Sequence, residues 1–217
     1  DEFAGQAAVG QYHSGRIIPV LLVSLATMIG GIQMPYLTAD WESGDRAGVI
    51  RRLKQTLLGI GALFTLGAAA AILISPLLFS VLLEDRYTAG MELMPMVFTF
   101  CIWSCLFTIG QNYLWVAEKG KWVGVALAIG LVSNLILNAL LLPVLGLNGA
   151  VIATLCSNAI VMAGVWYVMH RHGFHFDATM ALVSLWPLSL IAGAPIAIVC
   201  VMLSLMVHDE ARAVFRE

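Results

Sequence analysis

The chain has 217 residues, 60% of them hydrophobic and 11% charged, with a formal net charge of −2 and a mean hydropathy of +0.91. Soluble domains carry about 25% charged residues, so this composition excludes a soluble globular protein and marks a polytopic membrane protein. No dense basic run argues for nucleic acid, and none is expected as a partner.

A membrane-spanning helix needs about 20 mostly apolar residues. Six stretches qualify: Ile17–Leu37, Thr56–Leu83, Met91–Val116, Trp122–Leu142, Leu147–Met169 and Met180–Val207. The expected fold is all-α, a bundle of about six transmembrane helices in a single domain over residues 1–217. The opening, Asp1 to Arg16, is polar and contains glycine. It has neither an initiator Met nor a signal peptide, and reads as part of a longer protein. His13 and Arg16 precede the first span, where they either anchor a helix end or meet an anionic phosphate.

The only long connection is Thr38–Gln55. Trp41-Glu42-Ser43-Gly44-Asp45 reads as a turn, and the Asp45 carboxylate can cap a following helix. In that helix, near 45–56, Val49, Ile50, Leu53 and Leu57 share one side, while Arg46, Arg51, Arg52 and Lys54 take the other. This is the pattern of a basic helix lying in the headgroup layer. A plain solvated loop is the alternative. Pro76 and Pro195 are the expected kink points of the second and sixth spans.

The third span carries a polar stripe of Cys101, Ser104, Thr108, Gln111 or Asn112, and Trp115. Such a stripe either lines a hydrophilic cavity or packs helices through small polar groups. A basic turn, Glu118-Lys119-Gly120-Lys121, makes the third and fourth spans neighbours. The fourth has two strongly polar side chains, Asn134 and Asn138, four residues apart and so on one face. Lipid offers them no partner, and they read as helix-packing amides. Pro143 and Gly146 are expected to end that helix.

Motifs for catalysis are absent: no HExxH, no GxSxG, no P-loop. The chain is therefore expected not to be an enzyme and to need no cofactor. Cys101, Cys105, Cys156 and Cys200 all fall in apolar runs without metal or disulfide spacing. His170, His172 and His175 cluster after the fifth span without a diagnostic ligand spacing, so no metal is expected. Charges near a bilayer centre cost about 2.5–3.5 kcal/mol on insertion scales, and the spans avoid them. Glu92 sits at the edge of one.

Lys and Arg in short loops set orientation. Arg46, Arg51, Arg52, Lys54, Lys119, Lys121 and Arg171 fall on one side, against Arg16, Arg86, Arg212 and Arg216 on the other. The richer side is expected in the cytoplasm.

Several of these residues recur in a known order. Val9-Gly10-Gln11-Tyr12, Met34-Pro35 and Gly44-Asp45 before a basic helix resemble the C-terminal half of polysaccharide flippases. These belong to the multidrug/oligosaccharidyl-lipid/polysaccharide exporter superfamily. The strongest likeness is Gly120-Lys121 followed by Asn134, Asn138, Pro143, Gly146 and Gly149-Ala150. It resembles the family's G-[KR]…N-xxx-N…P-xx-G-xx-G-A signature. The resemblance implies a two-lobed fold of twelve to fourteen helices around a central cavity, with this chain as most of the second lobe. It implies movement of lipid-linked oligosaccharide between leaflets by alternating access. The partners would be that substrate, membrane lipids and the remaining N-terminal lobe. Cavity cations meet the lipid diphosphate in the family, and Arg16 is the only candidate here.

The expected function is therefore flipping of O-antigen or capsule repeat units across a bacterial inner membrane. Candidate substrate-cavity residues are Gln111, Asn112, Ser104, Thr108 and Arg16. The alternatives are a cation-coupled multidrug exporter of the same superfamily and a polytopic polysaccharide-assembly enzyme.

Overall fold

The computed structural model describes residues 5–82 and 88–207, with side chains over 18–77 and 91–207. Five helices are long and apolar enough to cross a bilayer: α1 (Gly5–Glu42), α2 (Arg46–Leu82), α3 (Thr88–Val116), α4 (Gly120–Leu145) and α5 (Leu147–Arg171). Shorter apolar helices follow: α6 (Ala178–Leu185), a 3-10 turn (Trp186–Leu188), α7 (Ser189–Ala192) and α8 (Ala194–Val207). All described elements are helices, as the hydrocarbon requires of any open-ended backbone. The molecule is an all-α, multi-pass membrane bundle.

Helix α3 is its axis. Phe98, Ile102, Leu106, Ile109 and Leu114 are fully buried along it. Helices α1, α2 and α5 pack around it, the C-terminal helices cover a further side against α2, and α4 leans on α5. Lipid tails are as apolar as Leu, so close packing and interhelical hydrogen bonds hold such a bundle together. Such bonds join several of the helices. The Trp103 Nε1–H of α3 donates to the Ser184 carbonyl (2.8 Å) and Thr99 Oγ1 to the Pro187 carbonyl (2.8 Å), where the 3-10 turn interrupts the regular ladder. The Trp166 Nε1–H of α5 donates to Ser184 Oγ (3.0 Å).

The basic segment near 45–56 is not a separate surface helix. It forms the first turns of α2, continuous to Leu82. Its apolar side, Val49, Leu53 and Leu57, is fully buried in the bundle, so protein rather than headgroups takes up the stripe. Asp45 does cap it, its Oδ1 accepting from the Gly48 N–H at 2.8 Å.

Helix α4 runs past Pro143 to Leu145. Proline deletes one bond without ending a last turn, and the stop comes at Gly146, whose φ of 55° lies in the left-handed region. Its N–H still reaches the Leu142 carbonyl (2.9 Å). Gly149 then packs so closely that an added Cβ would stand 2.4 Å from the Leu141 carbonyl oxygen. The Pro-xx-Gly-xx-Gly pattern is therefore a tight α4–α5 corner.

The short turn after α3 leaves only a small α3–α4 contact, and α4 lies mainly along α5. The last predicted span, Met180–Val207, differs most. Trp186 Nε1 donates to Ser204 Oγ at 3.1 Å, although the two are 18 positions apart. A continuous helix would separate them by about 27 Å. The chain reverses between them, at Gly193 (φ 134°), not at Pro195.

Candidate functional site: a polar trough over α3

Ser104, Thr108 and Gln111 are half-buried on one face of α3. Ser104 Oγ lies 2.6 Å from Asn158 Oδ1 of α5 and 3.0 Å from the Phe100 carbonyl. Asn112 is buried, its Nδ2 donating to the Gly30 carbonyl of α1 at 3.0 Å. At about 100° per residue, Thr108 falls midway round α3 between Ser104 and Asn112, and Gln111 just beyond Ser104. The open strip of α3 thus centres on Ser104, Thr108 and Gln111, between the Gly110 face that meets Trp166 of α5 and the Asn112 face that meets α1.

The walls are polar too. On α1, Gln33 turns to α2 on one flank of Gly30, where its Nε2 donates to Thr56 Oγ1 (2.7 Å). The other flank, toward the strip, carries exposed Ser24, Thr27 and Gly31. On α5, Asn158 Nδ2 donates to the Thr154 carbonyl (2.9 Å), and both residues are half-buried. The outcome is a trough with hydroxyls and amides on three helices and no charged side chain among the described residues. Every described Asp and Glu lies near a helix end: Asp40, Glu42, Asp45, Glu92, Glu118 and Asp177. Gln111 takes part in none of the side-chain hydrogen bonds found among the described residues, so its amide is available to a ligand.

The four amides singled out in the sequence do not share one wall. Asn112 is spent on α1. Asn134 Nδ2 donates to Ser157 Oγ of α5 (2.9 Å), and Asn138 Nδ2 donates back to Asn134 at its carbonyl (2.9 Å) and Oδ1 (3.0 Å). That ladder joins α4 to α5. Gln111 alone of the four remains in the trough. The backbone of Arg16 belongs to α1, and its side chain, like that of His13, lies outside the described residues. Arg86, Arg212 and Arg216 lie outside them altogether. Sequence reading missed Thr27, Gly31, Thr154 and Asn158. The three-to-four spacing of Ser24, Thr27 and Gly31 was the available signal.

One end of the bundle is cross-tied. Lys54 of α2 pairs with Asp177, which also caps α6 through the Met180 N–H (3.0 Å). Burial alone would raise the Asp177 carboxyl. The Lys54 ammonium and the Met180 N–H outweigh it and hold the group below its ordinary value. Tyr113 donates its hydroxyl to the His172 carbonyl (2.9 Å) and meets Trp41 and Phe174 edge-on, with ring centroids 5.8 and 5.4 Å away. Arg52 pairs with Asp40 at 2.9 Å. The Ser43–Asp45 turn, the end of α3 and the loop after α5 therefore meet at the end that carries the Lys and Arg excess. His172 Nδ1 rests 2.8 Å from the Val168 carbonyl. Among the described residues no three His, Cys, Asp or Glu side chains are grouped to hold a metal ion. Cys101 and Cys105 are buried and form no disulfide.

No family model matches the chain, and no curated protein or solved structure matches it.

Proposed function

We propose that this chain is one lobe of a flippase that carries lipid-linked oligosaccharide across a bacterial inner membrane for surface polysaccharide assembly. The observation that carries the reading is the half-buried, uncharged polar trough over α3. Sugars are recognised by hydroxyls and amides, which the trough offers foremost from Gln111 and Thr108, with Ser104, Thr27 and Asn158 beside them keeping lone pairs or an N–H beyond their own bonds. The α1 wall also fits a lipid-linked substrate. Its exposed surface passes from Ser24, Thr27 and Gly31 to Leu25, Met28 and Ile32. Sugar in the trough and a lipid tail against the adjoining apolar strip need only that one helix between them. The ordered residues from Gly44-Asp45 to Gly149-Ala150 add the family likeness.

A cation-coupled exporter is less well served, because it needs an acidic group in its cavity and the described carboxylates sit near helix ends. A membrane enzyme would need paired reactive side chains near a surface, and the ionisable pairs described there, Lys54–Asp177 and Arg52–Asp40, are salt bridges that tie elements together. In this proposal the opposite wall, with further cations for the diphosphate, comes from the N-terminal lobe.

The test uses the full-length protein in a strain lacking its own flippase. Gln111→Ala removes one ligand contact worth about 0.5–1.5 kcal/mol. Surface polysaccharide per molecule of transporter is expected to fall about 2- to 12-fold at normal membrane abundance. Unchanged polysaccharide per molecule would remove the trough from the transport path.

A further inference from the structure

The helices after α5 run down into the bundle and turn back at Gly193. The first arm is bounded at both ends. Asp177 caps it beside Lys54, the last charged residue of α2. Gly193 closes it, donating its N–H to the Ser189 and Leu190 carbonyls (3.2 and 3.1 Å) and accepting from the Ala197 N–H (3.0 Å). Between these limits lie eight α-helical residues, three of 3-10 helix and four more α-helical ones. At ordinary rises this is about 24 Å, short of the roughly 30 Å of bilayer hydrocarbon.

The neighbouring helix gives the depth independently. A Cβ on Gly61 of α2 would stand 2.7 Å from Val183 and 3.6 Å from Trp186. With the Lys54–Asp177 pair, this sets the first arm alongside α2 in the same direction. From Trp186 the arm has about 12 Å left before Gly193, while α2 has about 30 Å left between Gly61 and Leu82. The tip therefore lies well inside the apolar length of α2.

Its chemistry agrees. The α1–α2 and α3–α4 turns carry charge, at Asp45 and at Glu118-Lys119, whereas the tip reads Leu190-Ile191-Ala192-Gly193-Ala194-Pro195-Ile196. No charged residue occurs between Ala178 and Val207. The outer faces expose Leu185, Ile191, Ile196, Val199 and Leu203.

We propose that residues 178–207 form a re-entrant hairpin. It enters and leaves by the end that carries Ser43, Lys119 and His172, and the acyl chains of that leaflet are its partner. The hairpin adds no net crossing, so Val207 and Ser43 share a side.

Two measurements on the full-length protein in cells test this. Epitopes inserted after Ser43 and after Val207, on the native cysteine background, are read before and after permeabilisation. Both are expected to become accessible under the same condition, and opposite behaviour would restore a single crossing. Separately, Ala192→Cys is treated with a membrane-impermeant maleimide from each side. Labelling above that of the parent chain is expected from neither side until detergent is added. Labelling from the side opposite Ser43 would mean two complete crossings, and labelling from the Ser43 side would put the tip in water. Either would overturn the proposal.

Discussion

Gln111 and Asn112 are adjacent, so they project about 100° apart on α3. Asn112 meets Gly30 in the interior, while Gln111 stays at the trough surface. Asn112→Leu is therefore expected to act on folding. It loses one interhelical bond worth about 0.6–2 kcal/mol in a membrane bundle, and should lower membrane abundance and thermal stability in detergent. Asn134→Leu should do the same through its bond to Ser157. Normal abundance for both variants would show that these bonds hold nothing. Asp177 supplies a pH signature. Its folded pKa lies below the unfolded value, so its contribution to stability is complete above the ordinary carboxylate range and is lost as pH falls through the folded pKa. Melting temperature measured against Asp177→Asn should show a wild-type advantage that is constant from neutral pH to mild acid. The advantage should shrink only below about pH 4. An advantage that vanished near pH 6 would assign the stabilisation to a histidine instead.

At the scale of elements, close helix approaches depend on missing side chains. A Cβ at Gly110 of α3 would stand 2.3 Å from Trp166 Cζ3 and 2.8 Å from its Cη2. An indole ring cannot bend away, so Gly110→Ala is expected to cost about 1–3 kcal/mol as α3 and α5 are forced apart. Gly59 of α2 has nothing within 4 Å of its Cβ position, and Gly59→Ala should be neutral or stabilise by up to about 1 kcal/mol. Thermal unfolding of the two variants in detergent checks the pair, and equal effects would contradict the packing. The same elements show what a sequence reader can reach. The first five spans were legible because lipid forces every backbone group into an internal ladder, so a long apolar run has one solution. The capping role of Asp45 was legible from local chemistry. The reversal at Gly193 was not, because a lone glycine in an apolar run looks like Gly30, Gly59 or Gly130, all of which stay helical. The Trp186–Ser204 contact and the φ of 134° at Gly193 separate the cases. The partner of α4 was equally hidden, since a short turn fixes where a helix starts and not which neighbour it leans on.

At the scale of the whole molecule, polarity is divided three ways. Charges gather near helix ends, outer surfaces are largely apolar, and hydroxyls and amides either bond helix to helix, as Asn134 does with Ser157, or line the trough. The half-buried polar stripe of Ser104, Thr108 and Gln111 was legible because its three-to-four spacing survives in α3, while Cys101 and Asn112 of the same reading turn into the packing. The walls were not, because α1 and α5 become neighbours of that stripe only through tertiary packing. Under the proposed function the trough is one wall of a cavity, and alternating access needs a second body to move against it. Residues 1–217 expressed alone in a flippase-deficient strain are thus expected to leave surface polysaccharide absent, and its restoration would contradict a second lobe. Substrate capture in the trough is tested most directly by photocrosslinking. A photoreactive amino acid replaces Gln111, Thr108 or the lipid-facing Leu135 in the full-length protein, and cells making the lipid-linked oligosaccharide are irradiated. A sugar-bearing adduct is predicted at Gln111 and Thr108 and not at Leu135. Adducts at Leu135 alone, or none at Gln111 and Thr108 in a transport-competent protein, would contradict a sugar path along α3.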